Sequence, residues 1–212
     1  MDKIKTSKKT IVIAAAICAV MAVGGALAYF TDYDEAENNI SIGEVTIDLT
    51  EPVWDSYEDS DEDGVPDEAE DIVPTQTISK DPMVTNTGIN DAYVYLTVSI
   101  PKAEIYTANE DGTKNEKAVT QLFTYEVSDN WTLLESSTSD SNVNTYTYGY
   151  NYILSAGEST DKLFESVTFC NAIEGQGLEN TVQNINIKAM GIQSDGTGTT
   201  EEAYSKYVNQ NQ

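Results

Sequence analysis

Apolar and polar residues alternate with a period of two along much of the chain, the pattern of strands that bury one face. The clearest case is Ala92 to Ile100. Val94, Leu96, Val98 and Ile100 fall on one face, Tyr93, Tyr95, Thr97 and Ser99 on the other, and Pro101 is the expected stop. Ile40 to Leu49 alternates as well, with a slip of register at Gly43-Glu44 that reads as a bulge. Further strand signals lie at Gln76 to Lys80, Met83 to Asn86, Leu122 to Val127, Trp131 to Glu135, Asn144 to Leu154, Lys162 to Cys170 and Asn184 to Ile192. Turn sequences separate them, among them Asn86-Thr87-Gly88, Asp111-Gly112 and Ala156-Gly157-Glu158. Helical patterning is scarce: Asn171 to Gln183 reads as a loop or short helix, and Glu201 to Val208 as a terminal turn. Short strands joined by long polar loops predict an all-β fold, an antiparallel jelly-roll-like sandwich. It spans residues 40–193, with an acidic insertion at 51–71 and a flexible, Gly/Thr-rich C-terminal tail at 194–212.

The pattern at the N-terminus is different. Lys3, Lys5, Lys8 and Lys9 precede an apolar run from Ile11 to Phe30, and Ala26-Leu27-Ala28 has the small-x-small form of a cleavage site. Residues 1–28 therefore read as a secretory signal peptide, cut between Ala28 and Tyr29. An uncleaved anchor is the alternative, because about 20 apolar residues can span a bilayer. Cleavage is favoured because the acidic part of the chain starts immediately afterwards, so no transmembrane segment is expected in the mature protein. Cys18 lies inside the apolar run behind Ile17, which does not fit a lipid-modified cysteine. Cys170 is then the one cysteine of the mature chain, with no intrachain partner, and is expected to be buried.

Composition narrows the chemistry. The 212 residues include 36 acids, 11 basic residues that are all lysine, and no histidine, for a net charge of −25. Without histidine there is no Ser-His-Asp triad and no His-ligated zinc site. Without arginine there is no bidentate phosphate clamp. So negative a chain repels nucleic acid and anionic membranes. No nucleic-acid partner is expected; cations, neutral polymers or further copies of the chain are.

The acids are most concentrated between Glu51 and Asp71, where eleven occur without a basic residue. Such a run is often only a solvated spacer. Its order, however, places Asp59, Asp61, Asp63, Asp67 and Glu70 at positions one, three, five, nine and twelve of a loop. Gly64 falls at position six, where the chain must turn, and Val65 at position seven can offer its carbonyl. That is the ligand spacing of a twelve-residue calcium loop, and it predicts bound Ca2+. No helices flank it, and Asp-Glu-Asp-Gly-Val-Pro-Asp resembles the isolated calcium loops of thrombospondin type 3 repeats. Tyr146, Tyr148, Tyr150 and Tyr152 share one strand face. They read as a packed tyrosine ladder in preference to a sugar-stacking strip.

Two stretches together resemble the TasA/camelysin family of exported bacterial proteins. The first is Gly24-Gly25-Ala26-Leu27-Ala28-Tyr29-Phe30-Thr31-Asp32, followed by Ile42-Gly43-Glu44-Val45. The second runs through Val73-Pro74, Ser79-Lys80-Asp81-Pro82, Asn86-Thr87-Gly88 and Asp91-Ala92-Tyr93-Val94. The likeness covers residues 1–102; beyond them only the general β character is shared. It implies a jelly-roll sandwich, a leader removed by a signal peptidase of the SipW type, and self-association into extracellular homopolymeric fibres of a biofilm matrix. It also implies that the segment at 29–39, beginning Tyr29-Phe30-Thr31-Asp32-Tyr33, docks as a donor strand in a neighbouring copy. The function expected is that of a secreted structural protein of the cell surface or matrix, not an enzyme. The family's camelysins are catalogued as metallo-endopeptidases, an alternative to which this histidine-free sequence lends little. A calcium-stabilised surface adhesin is a further alternative.

Overall fold

The alternating segments do form antiparallel strands, and the fold is an all-β sandwich with long acidic and polar loops. The computed structural model describes residues 45–194 and 198–210. The signal peptide, its cleavage site, the segment at 29–39 and the Gly43-Glu44 slip lie outside those residues.

Ten strands follow in order: β1 (Ile47–Thr50), β2 (Thr77–Ser79), β3 (Met83–Asn86), β4 (Ala92–Ile105), β5 (Ala118–Gln121), β6 (Phe123–Thr124), β7 (Trp131–Ser137), β8 (Val143–Tyr150), β9 (Ser166–Phe169) and β10 (Asn186–Gln193). One sheet has the order β10-β4-β8-β7, with β5 added at the far end of β4. Opposite it lie two smaller ladders, β1-β3 and β2-β9-β6. Between them Val94, Leu96, Val98 and Ile100 of β4, all at 0% exposure, cluster with Val84, Leu163, Phe164 and Val167. Removing such side chains from water is worth about 1.5–3 kcal/mol each, and this cluster holds the two layers together.

Pro101 does not stop β4, which continues to Ile105. The Pro101 carbonyl accepts the Leu122 N–H at 2.9 Å, so the residue's backbone polar groups point to the β5 and β10 side. The β10 ladder reaches only Ser99 there, so no carbonyl waits for the N–H that proline lacks. β4 exchanges one neighbour for another at this point, pairing β5 from Lys102 to Ile105.

The expected flexible tail needs a second correction. Residues Thr200–Gln210 form a helix, α1, packed against the outer face of β4 and β8. Its start is a capping box: the Glu202 N–H donates to Thr199 Oγ1, and the Thr199 N–H donates to the Glu202 carboxylate, each at 3.3 Å. The Tyr95 hydroxyl donates to the Thr200 carbonyl at 2.9 Å, the Thr200 hydroxyl to the Tyr150 carbonyl at 2.7 Å, and the Tyr95 and Tyr204 rings lie 5.4 Å apart. Tyr93 and Tyr95 are therefore buried too, and β4 is enclosed on both faces from Ala92 to Leu96.

The tyrosine ladder of β8 packs inward. Tyr148 stands opposite Leu96 and hydrogen-bonds Tyr125 through its hydroxyl at 3.0 Å, while Tyr150 packs on Trp131 and donates to Asp161. Only Tyr152, past the end of the strand, is exposed.

Gly149 lies opposite Tyr95, directly under α1. A methyl group there would sit 2.6 Å from Thr200 Cγ2 and 2.9 Å from Leu134 Cδ1. Gly149→Ala is expected to lose about 1–3 kcal/mol by overpacking, read as a lower denaturation midpoint. Thr200→Ser, which removes Cγ2 but keeps the hydroxyl, is expected to restore part of it. A wild-type midpoint for Gly149→Ala would mean that α1 is not held against β8.

Candidate metal centre

The acidic insertion winds on its own carboxylates. The Asp59 carboxylate accepts the N–H groups of Asp63 and Gly64 at 3.2 and 2.9 Å, and Asp63 accepts that of Val65 at 2.8 Å. Gly64 takes φ +89°, the turn expected at position six. These bonds place carboxylate oxygens of Asp59, Asp61 and Asp63 within 4.8 Å of one another, a group able to hold a metal ion. Without a cation, three like charges so close repel one another. The donors are all carboxylate oxygens, which match a hard divalent cation better than zinc or copper.

Three of the six expected ligands are thus brought together. Asp67 is engaged elsewhere: it accepts the Ser60 N–H at 2.9 Å and the Ser60 hydroxyl at 2.6 Å. Those two bonds, the hydroxyl first, hold its carboxyl below the usual range. Its backbone has entered a short 3₁₀ turn, Asp67–Ala69, set up by Pro66. Glu70 is outside the cluster but close enough to feel it. Partial desolvation, followed by the charges of Asp61, Asp63, Asp67 and Asp71, raises its carboxyl. Val65 is tied in through its N–H.

Both ends of the insertion are fixed to the sandwich. At its exit, Ile72 packs on the core. At its entrance, Lys80 and Asp81, the residues that follow β2, are almost fully buried and face different partners. Lys80 Nζ lies 2.7 Å from Glu51 and 4.2 Å from the centre of the Trp54 ring. The Asp81 carboxylate accepts the N–H groups of Val53 and Trp54 at 3.0 and 3.3 Å and pairs with Lys162 at 3.2 Å. Burial raises the Glu51 carboxyl, against the opposing pull of Lys80, and leaves its second oxygen without a hydrogen bond. Above the raised value Glu51 is ionised in a site that disfavours charge, so its contribution to stability falls as pH rises through that value. Alternation does not reveal this anchor, because Lys80 and Asp81 lie at a strand end where charged residues ordinarily face water.

Cys170 is half-buried against the core rather than enclosed, and burial pushes its thiol up, away from the reactive thiolate. Among the described residues no helix is long and apolar enough to cross a membrane. No protein-family model, curated protein or solved structure matches the chain.

Lys80→Met strands the Glu51 carboxylate without its cation. Breaking a buried pair in this way is expected to lower stability by about 3 kcal/mol, measured by chemical denaturation near neutral pH. The loss should shrink as pH falls and Glu51 takes up a proton. Lys80→Met combined with Glu51→Leu should recover most of the loss. A double variant no more stable than the single one would show that the pair is not what anchors the insertion.

Proposed function

We propose that the chain is a secreted structural protein of the cell surface or biofilm matrix. Residues 29–39 of one copy join a sheet edge of the next to build fibres, and the acidic loop binds Ca2+. The observation that carries this reading is β10. It is an eight-residue strand at the edge of the main sheet and, among the described residues, pairs only with β4. Ile187 and Ala189 pack against the core, and among the described residues no strand pairs with the edge of β10 away from β4. An edge of this kind is a template for another chain. The described fold also begins beside it: Val45 and Ile47 lie against Gly191 of β10. Main-chain hydrogen bonds would supply affinity, and Tyr29, Phe30 and Tyr33 would supply contacts in pockets.

Charge gives calcium a role in the same reading. Copies at −25 repel one another, and each bound divalent cation lowers that repulsion. A loop of this type binds extracellular calcium with a dissociation constant of about 10⁻⁴–10⁻³ M. In the bound state Asp67 and Glu70 would complete the set begun by Asp59, Asp61 and Asp63, with the Val65 carbonyl as a further oxygen.

Two experiments test the two halves separately. For assembly, the mature chain is followed by electron microscopy and light scattering. Deleting residues 29–39 is expected to leave a folded monomer, and Phe30→Asp to slow growth less than the deletion, because the main-chain bonds remain available. Fibres growing at the wild-type rate from the deletion variant would refute donor-strand assembly. For calcium, a tenfold excess over the dissociation constant is expected to stabilise the protein by about 1.4 kcal/mol. That is about 3–6 °C in melting temperature for a chain of this size. Asp61→Asn with Asp63→Asn should abolish most of the shift, and equal calorimetric binding by variant and wild type would remove the loop as the site.

A further inference from the structure

The acidic insertion has a second face. Together with the segment between β9 and β10 it encloses a groove of about 690 Å3. Its floor is apolar: the partly buried Ile78, Phe169 and Ile185 line it, with the buried Phe123 behind them. Val73 and Val182 stand at its lips, 59% and 65% exposed, among the most exposed large apolar residues of the described chain. Around them lies a ring of carboxylates: Asp61, Asp63, Glu70 and Asp71 from the insertion, Glu174 and Glu179 from the facing segment. Glu179 is fixed in this ring by the N–H groups of Gly175 and Gly177. Among the described residues Lys80 is the one lysine that lines the groove, and it is 6% exposed and paired with Glu51.

An apolar patch inside a polar rim marks an interaction site, and the volume lies in the range of ligand grooves. The two parts of the surface make different demands. A hydrated ion gains nothing from the apolar floor, and a purely apolar ligand leaves six rim carboxylates without a counter-charge. A second copy of this chain, with 36 acids against 11 lysines, would bring like charge to the rim. The matching occupant has apolar side chains between cationic ends. We propose that this groove docks a segment of another protein in which apolar residues are flanked by lysine or arginine. This proposal does not depend on fibre formation; three of the rim carboxylates, Asp61, Asp63 and Glu70, also belong to the proposed calcium set, so bound calcium competes with docking.

The test uses the secreted chain in chelating buffer, so that no metal screens Asp61 and Asp63. Three synthetic peptides of equal length serve as probes: a leucine-valine core flanked by lysines, the same core flanked by glutamates, and a serine core flanked by lysines. The first is expected to bind at least about tenfold more tightly than either of the others, a difference of 1.4 kcal/mol. Val73→Asp with Val182→Asp changes exposed positions only and should weaken it about tenfold or more, as should Glu70→Gln with Glu174→Gln. Val119→Asp, equally exposed but on β5 away from the groove, should leave binding unchanged. Thermal melts of each variant confirm that it is folded. No binding of the first peptide, equal binding of the serine-core peptide, or an equal loss with Val119→Asp would overturn the proposal.

Discussion

The first part of β4, Ala92 to Leu96, is enclosed on both faces, and the described structure depends on that. Its inward residues, Val94 to Ile100, join the layers, while its outward Tyr93 and Tyr95 are covered by α1. Along its length it pairs with β10, β8 and then β5. A strand buried on both sides must satisfy every polar group in place, because no water is available to do so. The Tyr95 hydroxyl meets this demand at the Thr200 carbonyl, and Pro101 meets it by giving its carbonyl to the Leu122 N–H at a point the β10 ladder does not reach, where no carbonyl waits for the N–H it lacks. β10, held at the other side of β4, derives its position from the same strand.

Electrostatics is the opposing constraint. A chain of net charge −25 can fold only if its acids are kept apart, solvated or paired. Most are solvated. Among the described residues the acids most withdrawn from water lie at the root of the acidic insertion, where Asp81 is fully and Glu51 largely buried, drawn to Lys80, Lys162 and backbone N–H groups. Such pairs add little net stability, since desolvation offsets attraction, but they fix where a segment attaches. Here they attach a loop of eleven acids to a rigid wall. That attachment couples the Asp59, Asp61 and Asp63 cluster to the sandwich. The same loop also lines the groove.

The strands and the acidic loop were legible along the chain because both are written in local order. Met83–Asn86 coincides with its alternating segment, and the turn at Gly64 with its place in the ligand spacing. Where local order is ambiguous the reading falls short. β5 is missed because Ala118 to Gln121 is half-exposed and weakly patterned, becoming a strand only through pairing with β4. The helix signal was present in Thr199 and Glu202, a capping box that a Gly/Thr-rich lead-in obscured.

By itself the sequence determined the all-β class, the alternating faces of β4 and β8, and the acidic loop with its turn. All three follow from residue type at fixed spacing, since period-two burial and alternate-residue ligation are properties of a short stretch of chain. The tertiary structure decided which partners those stretches meet. It took Asp67 away from the cluster to Ser60, carried β4 through Pro101, and turned Lys80 and Asp81 inward to hold Glu51 and the Val53-Trp54 backbone. It also faced the insertion with residues more than a hundred positions away to form the groove. Apart from the Asp67–Ser60 bond, which lies within the loop, each of these rests on a contact between distant segments, and the energy of such a contact depends on the geometry and burial of both sides, which no local pattern contains.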